Sequence, residues 1–470
     1  MTPIDFRGAE SMGAVGLVFG SLDFIMREAA LFAATGFLIL GLGDLAVDLL
    51  WIGSRLRAPG GRSPSVDELP QPERPGMLAV FVPAWDEAAV IGQMLGAAVS
   101  AWGGGDWRLY VGTYPNDPAT RAAAAAVAEA DPRVRVVVGV DPGPTTKADC
   151  LNRLWQALLD DEAEAGRPAK AVILHDAEDV VHPDELRLFD ALVERFDLVQ
   201  LPVLPLIDPY SRWLGGHYAD EFSESHGKEL VVRGALGAGL PSAGVGCAFS
   251  REALGRLARE RGGLPFDADS LTEDYELGLR IAEAGGRSIF VRAAGRGGGL
   301  VATREYFPGT LRAAVAQKAR WTAGIALAGW DRLGWRGGLA ERWMRLRDRQ
   351  APLAALLLFA GYLALLLWLA LKVREGTTGA APAPLPPALS FLVAANMLLL
   401  GWRLAMRAAF TAASYGWREG LRAVPRTAIG NAVAMLAAAA ALGRYHALRR
   451  GGRPRWGKTA HIFPAVPPAR

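Results

Sequence analysis

The sequence has only two cysteines, Cys150 and Cys247, in 470 residues. That excludes a disulfide framework and fits a domain facing a reducing cytosol. It has little charge imbalance, with a formal net charge of +3, so nothing in its bulk charge points to nucleic acid as a partner. It shows no internal repeat. The N-terminus carries Asp5, Arg7 and Glu10 before its first apolar run, with no small-residue cleavage site after it. A removable secretory signal is not expected.

Apolar residues are plentiful, at 51%, and the length exceeds that of a usual single domain. Four apolar stretches stand out: Leu31 to Ile52, Ala351 to Val373, Leu389 to Phe410, and the shorter, Ala-rich Thr427 to Leu442. The first three reach the length a helix needs to cross a hydrocarbon core of about 30 Å. A lipid bilayer is thus an expected partner, and three to four spans are expected.

Between the first two stretches, short β-type runs alternate with helical patterns. The runs are Met77–Pro83, Arg108–Gly112, Val134–Val140, Ala171–Leu174 and Leu198–Leu201. The helical patterns are Ala88–Ala101, Pro118–Ala130, Thr146–Asp160 and Pro183–Phe196. Such alternation predicts an α/β domain with a mostly parallel, Rossmann-like sheet inserted between transmembrane helices. The expected organisation is a membrane region at 1–58, a Pro/Gly-rich linker at 59–76, a catalytic domain with an interfacial helix at 77–335, and a C-terminal membrane region at 336–470.

Basic residues give an orientation. Arg55, Arg57 and Arg62 follow the first stretch, and Arg342, Arg345, Arg347 and Arg349 precede the second. The loop Glu375–Pro387 carries no Lys or Arg, whereas Arg418, Arg422 and Arg426 follow the third stretch. The α/β domain is expected in the cytosol and that loop outside. A crossing fourth stretch would put the basic tail Arg444–Arg455 outside, so an interfacial or re-entrant helix with a cytosolic tail is expected. Asp44 and Asp48 share one helical face, which should point into the bundle.

Four motifs carry candidate chemistry. Val80-Phe-Val-Pro-Ala-Trp-Asp-Glu87 ends a strand in carboxylates, where open α/β sheets bind ligands; a solvated helix start reads the same way. Asp176-Ala-Glu178 follows another strand, and two carboxylates at i and i+2 can share one hard cation. A capping turn before Pro183, or a transition-metal site using His175 and His182, also fits that run. Thr272-Glu-Asp274 opens an amphipathic helix, where capping is one reading and a general base at Asp274 the other. Gln317-Lys-Ala-Arg-Trp321 offers an Arg for diphosphate oxygens and a flat ring for a sugar, or equally a basic helix at a membrane surface.

In order and spacing these motifs resemble the membrane-bound, processive-type family 2 glycosyltransferases of the GT-A fold, over residues 77 to 330. Lys147-Ala-Asp-Cys-Leu-Asn152 is similar to a further family motif. A more specific resemblance is to the bacterial phage-adsorption protein B (NfrB) family, carried by His175–Pro183, Gly112-Thr-Tyr-Pro-Asn-Asp117, Tyr415-Gly-Trp417 with Pro425-Arg426, and the tail Lys458-Thr-Ala-His461. The resemblance implies an inverting enzyme of the bacterial inner membrane that moves a sugar from a nucleoside-diphosphate donor, with UDP as the expected nucleotide. The acceptor would be a glycan or a lipid-linked species in exopolysaccharide synthesis, with room for an outer-membrane export partner.

The resemblance also implies roles. Asp274 is the base and Glu273 its positioning neighbour. Asp176 and Glu178 hold Mg²⁺ or Mn²⁺. Glu87, Asp117, Lys147 and Asp176 contact the nucleotide, and Asp179 supports them. Gln317, Arg320 and Trp321 serve the leaving group and acceptor. Three departures stand out: Asp86 for the usual Asn, Glu178 for the second Asp, and Tyr114-Pro-Asn-Asp117 where the wider group has Asp-Asp-Gly-Ser. Longer NfrB-type members carry a cyclic di-GMP-binding domain. Arg449 and Arg453 imitate its spaced arginines, but too few residues follow, so binding by this chain alone is not expected. A transferase adding a single sugar to a polyprenyl phosphate, and a non-catalytic membrane subunit or receptor, are the alternatives.

Overall fold

Among the described residues, seven short strands build one sheet: β1 (Leu78–Pro83), β2 (Trp107–Thr113), β3 (Val134–Val138), β4 (Ala171–Leu174), β5 (Leu198–Gln200), β6 (Cys247–Ser250) and β7 (Ser288–Phe290). The computed structural model describes residues 6–57, 64–74, 76–379, 381, 383–452, 456–457 and 461–464, with side chains from Leu17 onward. Part of the expected linker, including Arg62, lies outside the described residues. So do Arg453 and Lys458 to Ala460 of the tail motif.

Every residue of β1 is buried. Because side chains alternate across a strand, Val80 and Val82 enter one core with Ile91, Leu95 and Phe189. Ala79 and Phe81 enter the other with Leu151, Trp155, Phe249 and Leu254. A strand covered on both faces needs a continuous apolar run, which is why the sequence marks it plainly.

The strand order is β3-β2-β1-β4-β6-β5-β7. β1, β2, β3 and β4 pair in parallel, as do β5 and β7. The sheet is mostly parallel, as expected, and β6 runs antiparallel to both β4 and β5. Residues 201–246 separate β5 from β6 and include the helices Gly216–Glu224 and Leu230–Ala235. That excursion lets the chain re-enter the sheet from its opposite end without a parallel crossover. β2 and β3 lie on one side of β1 and β4 on the other, so the order reverses between β1 and β4. Their carboxyl ends therefore open the crevice where such sheets bind ligands. The His175 amide continues this edge by donating to the Phe81 carbonyl at 3.1 Å.

Among the described residues, four helices are long and apolar enough to cross a membrane: Leu17–Arg57 within the helix Phe6–Arg57, Ala351–Thr378, Pro387–Tyr415 and Trp417–Arg449. The chain falls into two compact units, residues 1–49 with 350–406, and residues 50–349 with 407–470. In the first unit, glycines permit close helix packing: Gly36 faces Leu357, and a Cβ on Gly361 would lie 3.1 Å from the Phe37 ring. Asp48 accepts a hydrogen bond from Trp402 Nε1 at 2.8 Å, and Asp44 pairs with Arg403. The carboxylate face does point into the bundle.

The fourth apolar stretch is the middle of the 33-residue helix Trp417–Arg449, which belongs to the same compact unit as the sheet. Its Arg426 is fully buried, 3.1 Å from Asp220 Oδ1 and 3.0 Å from Glu419 Oε2.

Candidate active site

The turn after β1 is held by its neighbour after β2. Asp86 adopts φ 55°, a left-handed conformation that Asn and Asp tolerate best among side-chain-bearing residues, so the exchange of one for the other keeps the turn. Asp117 caps the helix Pro118–Ala130 through Oδ1 and accepts the Asp86 amide through Oδ2 at 2.6 Å. Its carboxylate thus organises this turn from a buried position. The Glu87 amide donates to Thr120 Oγ1 at 2.9 Å, and Glu87 itself is buried rather than a solvated helix start. The Tyr114–Asp117 loop is tied to a second loop: the Asn116 side chain bonds both the amide and carbonyl of Gly143, and Tyr114 Oη lies 2.8 Å from Thr145 Oγ1.

The turn after β4 carries Asp176 and Glu178, and neither caps a helix. Asp184 is the N-cap residue of the helix Glu185–Leu192, and Glu185 accepts the His182 amide. The rival use of His175 as a metal ligand also fails. His175 is fully enclosed, with Nδ1 2.8 Å from Asp179 and Nε2 2.9 Å from Glu185. Burial disfavours its charge, yet these two carboxylates outweigh that and push its pKa up to about 10. It is a buried ring clamped between two carboxylates, which favour its protonated form. Asp179 in turn accepts the Asp176 amide at 3.1 Å and so sets the turn.

Lys147 opens the helix Lys147–Ala165, whose start is fixed by a reciprocal cap between Thr146 and Asp149. Its Nζ reaches Asp176 Oδ1 at 2.5 Å. Burial works against its charge, but Asp176, Glu273 and Asp274 together hold the Lys147 pKa above its ordinary value.

In the Thr272–Asp274 motif, Thr272 makes no side-chain cap; Ser270 instead links the Thr272 amide to Glu276. Capping therefore does not account for Glu273 and Asp274. Burial first, then Asp274, push Glu273 up to about 7, against the pull of Lys147 and Arg320. Asp274 is raised as well, by burial foremost and by Asp176, with Lys147, the Tyr275 amide and Arg320 opposing.

Gln317, Arg320 and Trp321 lie on the helix Leu311–Trp321, which runs into a wider-wound turn at Thr322–Ala328, a form frequent at functional sites. A Cβ on Gly324 would stand 2.5 Å from Thr272 Oγ1, so glycine lets this helix approach the Glu273-Asp274 helix closely. Trp321 packs among Tyr218, Phe222 and Phe307 at ring separations of 6.2 to 6.4 Å. Lys318 pairs with Glu221 at 2.6 Å. Motifs far apart in sequence thus influence one another: Asp176 pairs with Lys147, and the charges of Lys147 and Arg320 oppose the effect of burial on Glu273 and Asp274.

Two residues were not assigned from sequence. His461 Nδ1 lies 3.1 Å from Glu87 Oε1 and 3.0 Å from Glu178 Oε1, and the three donor atoms fall within 4.8 Å of one another. Glu305, brought in by backbone bonds between Arg304 and Val180, has its pKa raised by burial first and then by Asp179, Glu178 and Asp176. The tail motif containing His461 was visible in sequence, though without a chemical role; Glu305 carried no signal.

A divalent ion fits this donor set. Acidic groups crowd one volume, and Asp179 Oδ1 is buried without a hydrogen-bond partner among the described residues. Among the described residues, the donor atoms close enough to share one ion are those of Glu87, Glu178 and His461, whereas Asp176, expected beside Glu178, pairs with Lys147 and is not among the three.

The family profile described as glycosyltransferase like family 2 matches residues 75–324. Bacteriophage adsorption protein B of Escherichia coli strain K12 is 37% identical over 96% of this chain and 64% of its own length. Bacteriophage N4 adsorption protein B of Escherichia coli O157:H7 matches to the same extent. The chain thus spans 64% of the length of these relatives, less than two-thirds. Among solved structures, a mannosyltransferase from Pyrobaculum calidifontis in complex with GDP-Man and Mn²⁺ is 17% identical, covering 85% of this chain and 98% of its own, with a TM-score of 0.47. A glucosyl-3-phosphoglycerate synthase from Mycobacterium tuberculosis is 18% identical over 54% of this chain and 79% of its own, with a TM-score of 0.31.

Proposed function

We propose, from the premise that this chain belongs to glycosyltransferase-like family 2 and is a glycosyltransferase with a GT-A catalytic body, that it transfers a sugar from a UDP-linked donor to a glycan or lipid-linked acceptor with inversion. The observation that carries this reading is the convergence of Lys147, Asp176, Glu273, Asp274 and Arg320 on one site. Asp274 accepts the acceptor hydroxyl proton as the new C–O bond forms at the anomeric carbon and the bond to the diphosphate breaks. Glu273 positions and electrostatically tunes Asp274. Arg320 and Lys147 bring positive charge toward the leaving diphosphate. Gln317 and Trp321 shape the acceptor side, and Glu87 and Asp117 set the nucleotide loops. Asp176 and Glu178 would hold Mg²⁺ or Mn²⁺, which when bound neutralises charge growing on the diphosphate.

The distribution of arginines supports a bacterial inner-membrane protein with its catalytic body and C-terminal tail in the cytosol. The similarity to phage-adsorption protein B supports a role in making a surface exopolysaccharide. Release of UDP from purified membranes, measured against a panel of UDP-sugars with and without added acceptor glycan, tests the reading. Failure of every UDP-sugar to turn over would overturn it.

A further inference from the structure

Tyr275 follows the proposed base in sequence, and its two donors serve two different carboxylates. Its amide donates to Asp274 Oδ1 at 2.7 Å, and its hydroxyl donates to Asp348 Oδ2 at 2.7 Å. The side chain between them is buried. Asp348 lies on the helix Leu339–Arg349, which Gln350 alone joins to the apolar helix Ala351–Thr378. Both Asp348 oxygens also accept from Arg233 Nη1, each at 2.9 Å. Arg233 is buried on the helix Leu230–Ala235, and its Nε donates to the Gly239 carbonyl at 2.6 Å. From Gly239 the backbone runs on to Gly244, which abuts Asp274. We infer that Asp348 is a positioning residue for Asp274. Through Tyr275 on one side and Arg233 on the other, it joins the helix that carries the base to the loop that seats it.

Two features distinguish this arrangement from an ion pair that only holds the fold. The helix Glu273–Glu283 packs on that loop with no side chain between them. A Cβ on Gly278 would stand 2.5 Å from the Leu240 carbonyl oxygen and 2.5 Å from the Ser242 amide nitrogen. Helix and loop bear directly on each other, so a shift of one is felt by the other. The far end of the helix also has a hold of its own, where Arg345 Nη2 lies 3.0 Å from Glu283 Oε1. That bond acts roughly 13 Å farther along the axis than Asp274. The Tyr275 hydroxyl, by contrast, acts on the turn where the base stands. Misplacing a reacting group by about 1 Å costs on the order of 10²-fold in rate. A purely structural pair predicts lower stability with unchanged turnover per folded molecule.

The inference rests on Asp274 as the base, so Asp274→Asn is assayed alongside to keep the two apart. The readout is UDP release by the full chain from the UDP-sugar that the parent turns over. Tyr275→Phe removes one hydroxyl and keeps the packed ring. It should lower kcat by roughly 10–100-fold while the donor KM and UDP binding stay as in the parent. Asp348→Asn keeps the shape but removes the charge that Arg233 pairs with, and kcat should fall similarly. Because both act through one bond, the double variant should be no slower than the slower single variant, a coupling that independent sites do not show. Glu283→Gln should lower the melting temperature and leave turnover per folded molecule unchanged. Parental kcat in folded Tyr275→Phe overturns the inference, as do losses that multiply in the double variant. An equal loss in Glu283→Gln also overturns it, because any hold on the helix would then serve. Should Asp348→Asn not fold, Tyr275→Phe against Glu283→Gln decides alone. If Asp274→Asn keeps parental turnover, the base assignment itself falls, and the inference with it.

Discussion

Gly244 lies directly against the carboxylate of Asp274. A Cβ on Gly244 would stand 3.0 Å from Asp274 Cβ and 3.1 Å from Cγ, with Oδ2 nearer still, and Gly244 has φ 77°. Space and backbone conformation both require glycine here. The loop before β6 thereby forms the seat of the proposed base.

Gly244→Ala should act on the base without touching the nucleotide loops. The left-handed conformation costs a side-chain-bearing residue roughly 1–2 kcal/mol, and the added methyl must displace Asp274. Transfer should fall at least tenfold while UDP affinity stays near that of the parent. The comparison is between turnover and calorimetric UDP binding; parental turnover would show that Asp274 is not held by this contact.

Asp176→Ala and Glu178→Ala should each abolish transfer. Chelation should do the same to the parent, and Mn²⁺ or Mg²⁺ should restore it. Asp176→Ala also removes the partner of Lys147, so this variant should bind UDP differently from Glu178→Ala. Activity that survives chelation would contradict the metal assignment.

His175→Ala should damage stability rather than chemistry. The ring bridges two buried carboxylates, and removing one member of a buried ion cluster typically costs about 3–5 kcal/mol. The pKa of His175 in the fold is raised to about 10, against about 6.5 when unfolded. Its contribution is therefore fully present below pH 6.5 and is lost as pH climbs toward 10. Thermal melting should show a large gap between parent and variant near pH 6 that narrows by pH 10. Turnover per folded molecule should persist. A constant gap would mean the ring is neutral.

The central strands were legible because β1 and β4 are buried on both faces and must be apolar throughout. β6 and β7 were not, since Cys-Ala-Phe-Ser and Ser-Ile-Phe are too short to show a period. The direction of β6 is set by the returning chain, which local pattern does not encode. Asp176, Lys147 and Asp274 were legible as motifs, though their mutual distances were not. His461 and Glu305 escaped because their roles arise only from tertiary contacts. His461 lies over 280 positions from Glu178, and Glu305 reaches the site through a two-residue bridge between Val180 and Arg304.

The pair Glu273 and Asp274 gives the most direct test of mechanism. An acceptor hydroxyl is a weak nucleophile, and a positioned carboxylate that takes its proton contributes about 10²–10⁴-fold. Asp274→Asn keeps the shape but removes the basic oxygen, so turnover should fall by that order while UDP binding remains. The base works only when ionised. Burial raises both carboxylates, so turnover of the parent should rise with pH along an acid limb and then level. Glu273→Gln removes a like charge beside Asp274, which should lower the Asp274 pKa and shift the acid limb of the profile to lower pH. That variant should lose far less activity than Asp274→Asn. A folded Asp274→Asn protein with parental turnover would remove Asp274 as the base. An acid limb unmoved in Glu273→Gln would separate the two carboxylates and leave Glu273 a purely structural part.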